Sequence, residues 1–297
     1  MAGPPGAVRV RGSVLLWVGV GIVATTVLIT ALAPLLAPHD PTESVGEVRL
    51  APPSPKHPMG TDQLRRDVLS RILYGGRAPL LVAFGSCGLS LGVGTPLGWI
   101  SGYAGGRLDR LLSLTMDAIY AFPSLVLAIA IVAVLGPGPV NMVAAIAFVY
   151  VPTYFRVARS RVLVLVQQEF VEAARAVGAS PARILLRHVA PNTVGAILTV
   201  PPFNVADAIL TEAALAFLGF GLPPPTPDWG FDIQNGQKFL QSGHWWLITF
   251  PGAAIVLVSF GFGLLGEGLQ EWMESRPRRP HPPGGEAPAS NPNPEGR

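Results

Sequence analysis

Four acidic side chains, Asp117, Asp207, Glu212 and Glu267, each interrupt a stretch of apolar residues. An ionisable group in such surroundings has two ordinary uses. It lines a path or holds a gate, or it pairs with a neighbour or reaches water near the end of its helix. Asp117, Asp207 and Glu267 read as the second kind, and Glu212 is the candidate for path or gate. Other chemistries lack their residues. The five histidines, His39, His57, His188, His244 and His281, show no metal-ligand spacing, so no metal set is expected. Neither lysine, Lys56 or Lys238, follows a glycine, so no phosphate-binding P-loop is present. HExxH and GxSxG are also absent, and no catalytic residue is expected. The one cysteine, Cys87, has no partner for a disulfide within the chain.

The elements that carry these acids are membrane helices. Of 297 residues, 49% are hydrophobic and only 13% charged, about half the usual share and too few to cover a water-facing surface. Crossing the hydrocarbon core takes roughly 20 apolar residues. Six runs approach that length: 14–36, 79–103, 112–135, 140–155, 193–217 and 247–269. The first competes with a signal peptide, because Ala31-Leu32-Ala33 resembles a cleavage site, but the run is long for a signal core. Residues 38–77 are too polar to span, and 67–74 within them have the spacing of a short amphipathic surface helix. Gly136-Pro137-Gly138-Pro139 is a turn. Trp245 and Trp246 open the last run as an interfacial pair. The tail from Arg276 is Pro- and Gly-rich and reads as disordered.

Six spans place both termini on one side. With the termini inside, inner segments hold 14 Lys and Arg and outer segments seven, which favours cytoplasmic termini. No dense basic face exists outside one loop, so nucleic acid is not an expected partner, and the lipid bilayer is.

That loop, 156–192, contains the most legible local chemistry. Phe170, Val171, Ala174 and Val177 fall on one face of a predicted helix. Glu172 and Arg175 lie three apart, near enough to pair. Gly178 suits a left-handed helix stop. Ser180 fits an N-cap and Pro181 the first position of a second helix reaching Val189, with Pro191 at the bend into the fifth span. The spacing predicts two short helices meeting at a corner. Ala173, Ala174 and Ala176 keep part of the surface flat, which suits either a groove on another protein or lipid headgroups.

Glu172-Ala173-Ala174, three residues and Gly178 resemble the EAA signature of binding-protein-dependent ABC importer permeases. His188-Val189-Ala190-Pro191 matches the end of that signature at the proline and departs from it at the Ile and Leu positions. His188 resembles the dipeptide, oligopeptide and nickel branch. Other segments resemble the same branch, in the same order. Met59-Gly60-Thr61-Asp62 through Arg66-Asp67-Val68-Leu69-Ser70-Arg71 is similar to GTDxxGRDVLSR, with Arg65 in place of Gly. Ala121-Phe122-Pro123-Ser124 is similar to AFPS, and 210–219 to LTEASLSFLG. Pro224-Pro225-Thr226-Pro227 with Trp229-Gly230 is similar to PPTPSWG, and 265–269 to LGDGL. The resemblance spans about residues 59–272.

The resemblance implies an all-α integral membrane protein with the type I ABC importer permease fold and cytoplasmic coupling helices, in a bacterial or archaeal cell membrane. It divides the chain into an N-terminal region with the first span (1–37), an extracytoplasmic segment (38–78), a core permease domain (79–272) and a disordered cytoplasmic tail (273–297). It implies a second homologous permease, two cytosolic ATPases that bind the ATP and Mg, and an extracytoplasmic substrate-binding protein. It implies no cofactor in this chain. Glu172, Ala173, Ala174, Gly178, Ser180 and Pro181 would couple to an ATPase, and the cargo would be di- or oligopeptides. The alternatives are nickel or another small solute as cargo, or a stand-alone secondary transporter or channel, which would show inverted repeats and midspan charges.

Overall fold

The computed structural model describes residues 5–45 and 48–274, with side chains from residue 13 onward. The tail expected to be disordered, 275–297, lies outside the described residues. These residues form helices α1 (Pro5–Ala31), α2 (Ala33–Leu36), α3 (Val68–Gly75), α4 (Arg77–Ala104), α5 (Gly106–Tyr120), α6 (Ser124–Leu135) and α7 (Pro139–Leu165). There follow α8 (Glu169–Ala176), α9 (Pro181–Arg183), α10 (Ala190–Ile197), α11 (Pro201–Phe217), α12 (Trp229–Gly236) and α13 (Trp246–Glu274). Among the described residues the only β pairing is one bridge, Thr61 to Asp67.

Four stretches are long and apolar enough to cross a membrane: Ser13–Ala31, Val68–Ala104, Pro139–Leu165 and Trp246–Glu274. Two bent pairs bring the total to six. One is α5 with α6, bent by 90° at Ala121–Pro123, and the other is Pro181–Ile197 with α11, bent by 54°. Proline opens the second helix of each pair, Pro123 in one case and Pro201-Pro202 in the other, where it has no N–H with which to continue the helix before it. Large apolar side chains such as Trp17, Leu28, Val134, Val256 and Phe260 stand exposed on these helices, as side chains bathed in lipid do.

The spans pack through small residues. On α4, a Cβ at Gly94 would sit 2.5 Å from the Val151 carbonyl oxygen of α7, and one at Gly98 would collide with that of Phe155. Only glycine permits backbones this close, which is how membrane helices gain van der Waals contact without a hydrophobic drive. Gly88 and Gly92, on the same helix, face open space. The first and last long helices also mate, with Gly268 of α13 against the Leu16 backbone of α1 and Gly19 of α1 against the Leu265 backbone. A common core from α4, α7, α11 and α13 includes Val82, Ile146, Tyr154, Ile209 and Phe262.

Two elements differ from the expectation drawn from charge. The fourth span runs ten residues beyond 155, because Arg156 and Arg159 are helix positions that pair with α5. The second elbow helix does not stop at Pro191. It passes from α9 through a π-helical turn, Ile184–Val189, into α10, and the bend falls after Ile197. Proline has no N–H and clashes with the carbonyl four residues back, so a widened turn ahead of Pro191 lets the helix continue.

Candidate functional site

The elbow forms as its residues dictate. Gly178 ends α8 with φ +79°, in the left-handed region that its lack of Cβ makes inexpensive. The helix end is closed by Gly178 N donating to Arg175 O (2.9 Å) and Ala179 N to Ala174 O (3.1 Å). Ser180 caps the next helix by accepting from Arg183 N (3.4 Å), and Pro181 takes the first turn. Val171, fully buried, and Ala174 seat α8 on Val162, Ile184 and Val189, with Trp99, Tyr103 and Leu165 alongside.

The opposite face of the elbow is bare. Glu169, Glu172, Ala173, Arg175, Ala176 and Gly178 are exposed. Phe170 is 42% exposed and Val177 84%, so these two leave the inner face on which sequence spacing put them. Phe170 is one residue round the helix from Val171, and Val177 follows the last helical turn. Glu172 and Arg175 form no ion pair with each other or with any other described residue. A charged and apolar knob is thus held rigidly from behind and left unsatisfied in front.

The acids of the helices separate into different roles. Asp117 pairs with Arg156 (2.8 Å), whose guanidinium also lies 4.0 Å above the Tyr120 ring. Asp109 accepts two bonds from Arg159, and Ser101 donates to it at 2.6 Å, so α5 is bound to α4 and α7 at the elbow end. Asp207 has no arginine. It accepts from the Tyr150 hydroxyl (2.6 Å) and lines a 420 Å³ cavity with Tyr120, Phe122, Asn204, Thr153 and Val149. The bend at Ala121–Pro123 opens this cavity between α5, α7 and α11. Asp207 is the residue that sequence reasoning set aside, and its midhelix place in a span whose only other charge is Glu212 was the signal. Glu212 is 1% exposed and is not among the residues lining that cavity. Its carboxyl lies against that of Asp228, in the loop before α12.

The end of the molecule opposite the elbow is a cap whose motif residues hold one another. Arg71, 2% exposed, grips the Asp232 carboxylate through Nε and Nη2 and donates to the Pro41 and Pro225 carbonyls at 3.1 and 3.3 Å. Trp229 donates to Ile72 O (3.0 Å) and Trp246 to Thr61 O (3.3 Å). Asp62 pairs with Arg66 (2.6 Å) and Asp67 caps α3 through Ser70 N (2.8 Å). Asp228 caps α12 through Gly230 N and Phe231 N (2.9 and 3.1 Å). Burial pushes the Asp228 carboxyl up, against the pull of the Phe231 and Gly230 amides and of Arg71. Arg65, where the similar motif has glycine, keeps a glycine-like φ of +63°.

Comparison with known proteins agrees with this architecture. The family profile described as "Binding-protein-dependent transport system inner membrane component" matches residues 94–279. The dipeptide transport system permease protein DppC of Alkalihalophilus pseudofirmus is 42% identical over 87% of this chain and 85% of its own length. The di/tripeptide transport system permease protein DppC of Pseudomonas aeruginosa is 38% identical over 84% of each chain. The probable D,D-dipeptide transport system permease protein DdpC of Escherichia coli is 35% identical over 92% of this chain and 94% of its own. A chain of the MetNI methionine ABC transporter, crystallised in an inward-facing conformation, shares the fold. Its TM-score is 0.54 at 16% identity, over 67% of this chain and 94% of that one. With up to six crossings, an exposed helix–glycine–helix elbow and relatives matched over most of their length, the chain belongs to the inner membrane components of binding-protein-dependent transport systems.

Proposed function

We propose that this chain is one of two permease subunits of an ATP-driven importer of di- or oligopeptides. The observation that carries the reading is the elbow: a helix–glycine–helix corner anchored by Val171 and Ala174, with Glu172, Arg175, Phe170 and Val177 left exposed. A groove on a cytosolic ATPase would seat that knob. ATP and Mg would bind the ATPases, since the sequence has no P-loop. A second, related permease would complete the path, and a substrate-binding protein would deliver cargo at the cap. Both termini would then be cytoplasmic, in keeping with the excess of Lys and Arg on that side.

The cargo class rests on the three peptide-system relatives. In this setting the cavity beside Tyr150 and Asp207 is this subunit's share of the path, and Asp207 offers a carboxylate to a peptide's ammonium group. Glu212, tied to the Asp228 loop, suits a gate at the cap end rather than the path wall. Closure of the ATPase pair on ATP moves the elbow, and the packed spans carry that motion to the cavity as a shift between two states. The test is purification of the full chain in mild detergent. Wild type should bring with it a second permease and P-loop ATPases, and Gly178→Val should lose the ATPases while keeping the second permease. A wild-type chain that purifies alone and transports alone overturns the proposal.

A further inference from the structure

The cap contains a cluster that neither the elbow nor the cavity accounts for. His39 follows α2, His57 lies in the loop before α3, and Asp67 is the N-cap of α3. One donor atom from each of the three lies within 4.8 Å of the others. Asp67 is fully buried, with Oδ1 2.9 Å from His57 Nδ1 and Oδ2 accepting from Ser70 N and Ser70 Oγ at 2.8 Å. Ser70 Oγ in turn accepts from His39 N (3.2 Å), so one network holds all three residues. A carboxylate only accepts, so His57 Nδ1 carries the proton and the lone pair of the neutral ring is on Nε2. That nitrogen is buried without a hydrogen-bond partner, on a side chain only 7% exposed. The His39 ring stands beside it, 5.4 Å between centroids. A buried acceptor left unsatisfied costs about 1–3 kcal/mol. A carboxylate behind one imidazole nitrogen, with the other nitrogen left free and a second imidazole ring close by, is an arrangement by which proteins orient metal ligands.

We propose that His39 and His57 bind a divalent transition ion of the zinc type, with Asp67 as the orienting carboxylate behind His57. Two imidazoles select zinc, nickel or copper over calcium and magnesium, which take oxygen ligands. Bonds of ~2.1 Å in a tetrahedral shell place donor atoms about 3.4 Å apart, a spacing that two rings with centroids 5.4 Å apart can reach by turning. His39, half-buried on a coil segment, is the ring with room to turn, and its open side leaves the remaining positions to water. The bound ion would fasten the chain leaving α2 to the start of α3, joining the first span to the second across the cap.

The experiment uses the full chain carrying a tag without histidine, stripped with EDTA and titrated with cobalt(II), then zinc. Wild type should take up one cobalt per chain with a visible d–d band that zinc abolishes. Zinc should also raise its Tm by several degrees. His39→Ala should bind at least tenfold more weakly and lose the Tm response. His57→Gln, which keeps a donor for Asp67 but replaces the imidazole nitrogen with a weaker amide-oxygen ligand, should behave the same way, while His188→Ala and His244→Ala should bind as wild type. Cobalt bound equally well by wild type and His39→Ala, or by neither, overturns the proposal, as does an equal zinc-induced Tm shift in both.

Discussion

The cap and the elbow both contain recognisable motifs, yet they treat them in opposite ways. In the cap, Arg71 is bound to Asp232 and two carbonyls, Asp62 to Arg66, and Trp229 to the Ile72 carbonyl. Each of these side chains is satisfied inside the chain. In the elbow the corner is satisfied internally, by Gly178, Ser180 and the Val171–Ala174 face, while the signature side chains Glu172 and Ala173 and the neighbouring Arg175 face outward. A motif can therefore be recognisable because it folds the protein or because another molecule reads it. Burial and hydrogen bonding tell the two apart where the sequence pattern does not.

Substitutions on each side test that contrast. Arg71→Ala should have the largest effect on stability, because it leaves Asp232 and two carbonyls without their donor in a buried site. A loss of about 3–5 kcal/mol is expected, read as a large fall in Tm or a failure to purify as a monodisperse species. Gly178→Val must hold a β-branched residue at φ +79°, costing about 1–2 kcal/mol and confined to the elbow. Its Tm should fall much less than that of Arg71→Ala, while ATPase retention is lost. A Tm drop equal to the Arg71 variant's would erase the distinction between folding motif and docking motif. Arg65→Gly removes the strain of a non-glycine residue at φ +63° and should stabilise the cap by about 0.5–1 kcal/mol, a small rise in Tm. Glu172→Ala removes no contact within the chain, so its stability should stay within about 0.5 kcal/mol of wild type. Weakened co-purification of the ATPases by this variant would sharpen the contrast, whereas a marked Tm loss would break it.

The sequence made the spans legible because charge-free runs of membrane length have few other uses. It made the elbow legible because Gly178, Ser180 and Pro181 act through their own backbones. Features that depend on a distant partner were hidden. Arg156 and Arg159 looked like loop charges until α5 supplied Asp117 and Asp109. Asp207 looked like a residue bound for a loop arginine until Tyr150 and the cavity appeared beside it. His39 and His57 are 18 residues apart in a segment without periodicity, so only the folded chain brings their rings together.

The mating of α1 with α13 sets a timetable for the protein's birth. Helix α1 enters the membrane with the glycine face that will meet Leu265 still uncovered, and its partner α13 is the last of the described helices to leave the ribosome. At 5–20 residues per second, the interval between Ala31 and Glu274 is roughly 10–50 s. Throughout that interval lipid or the insertion machinery must hold α1 in place of its mate. A ribosome stalled ahead of Trp246 would strand a chain that has most of its spans but not the helix that closes the bundle, and such a chain should be recognised and degraded faster than the finished one in a pulse-chase of nascent products.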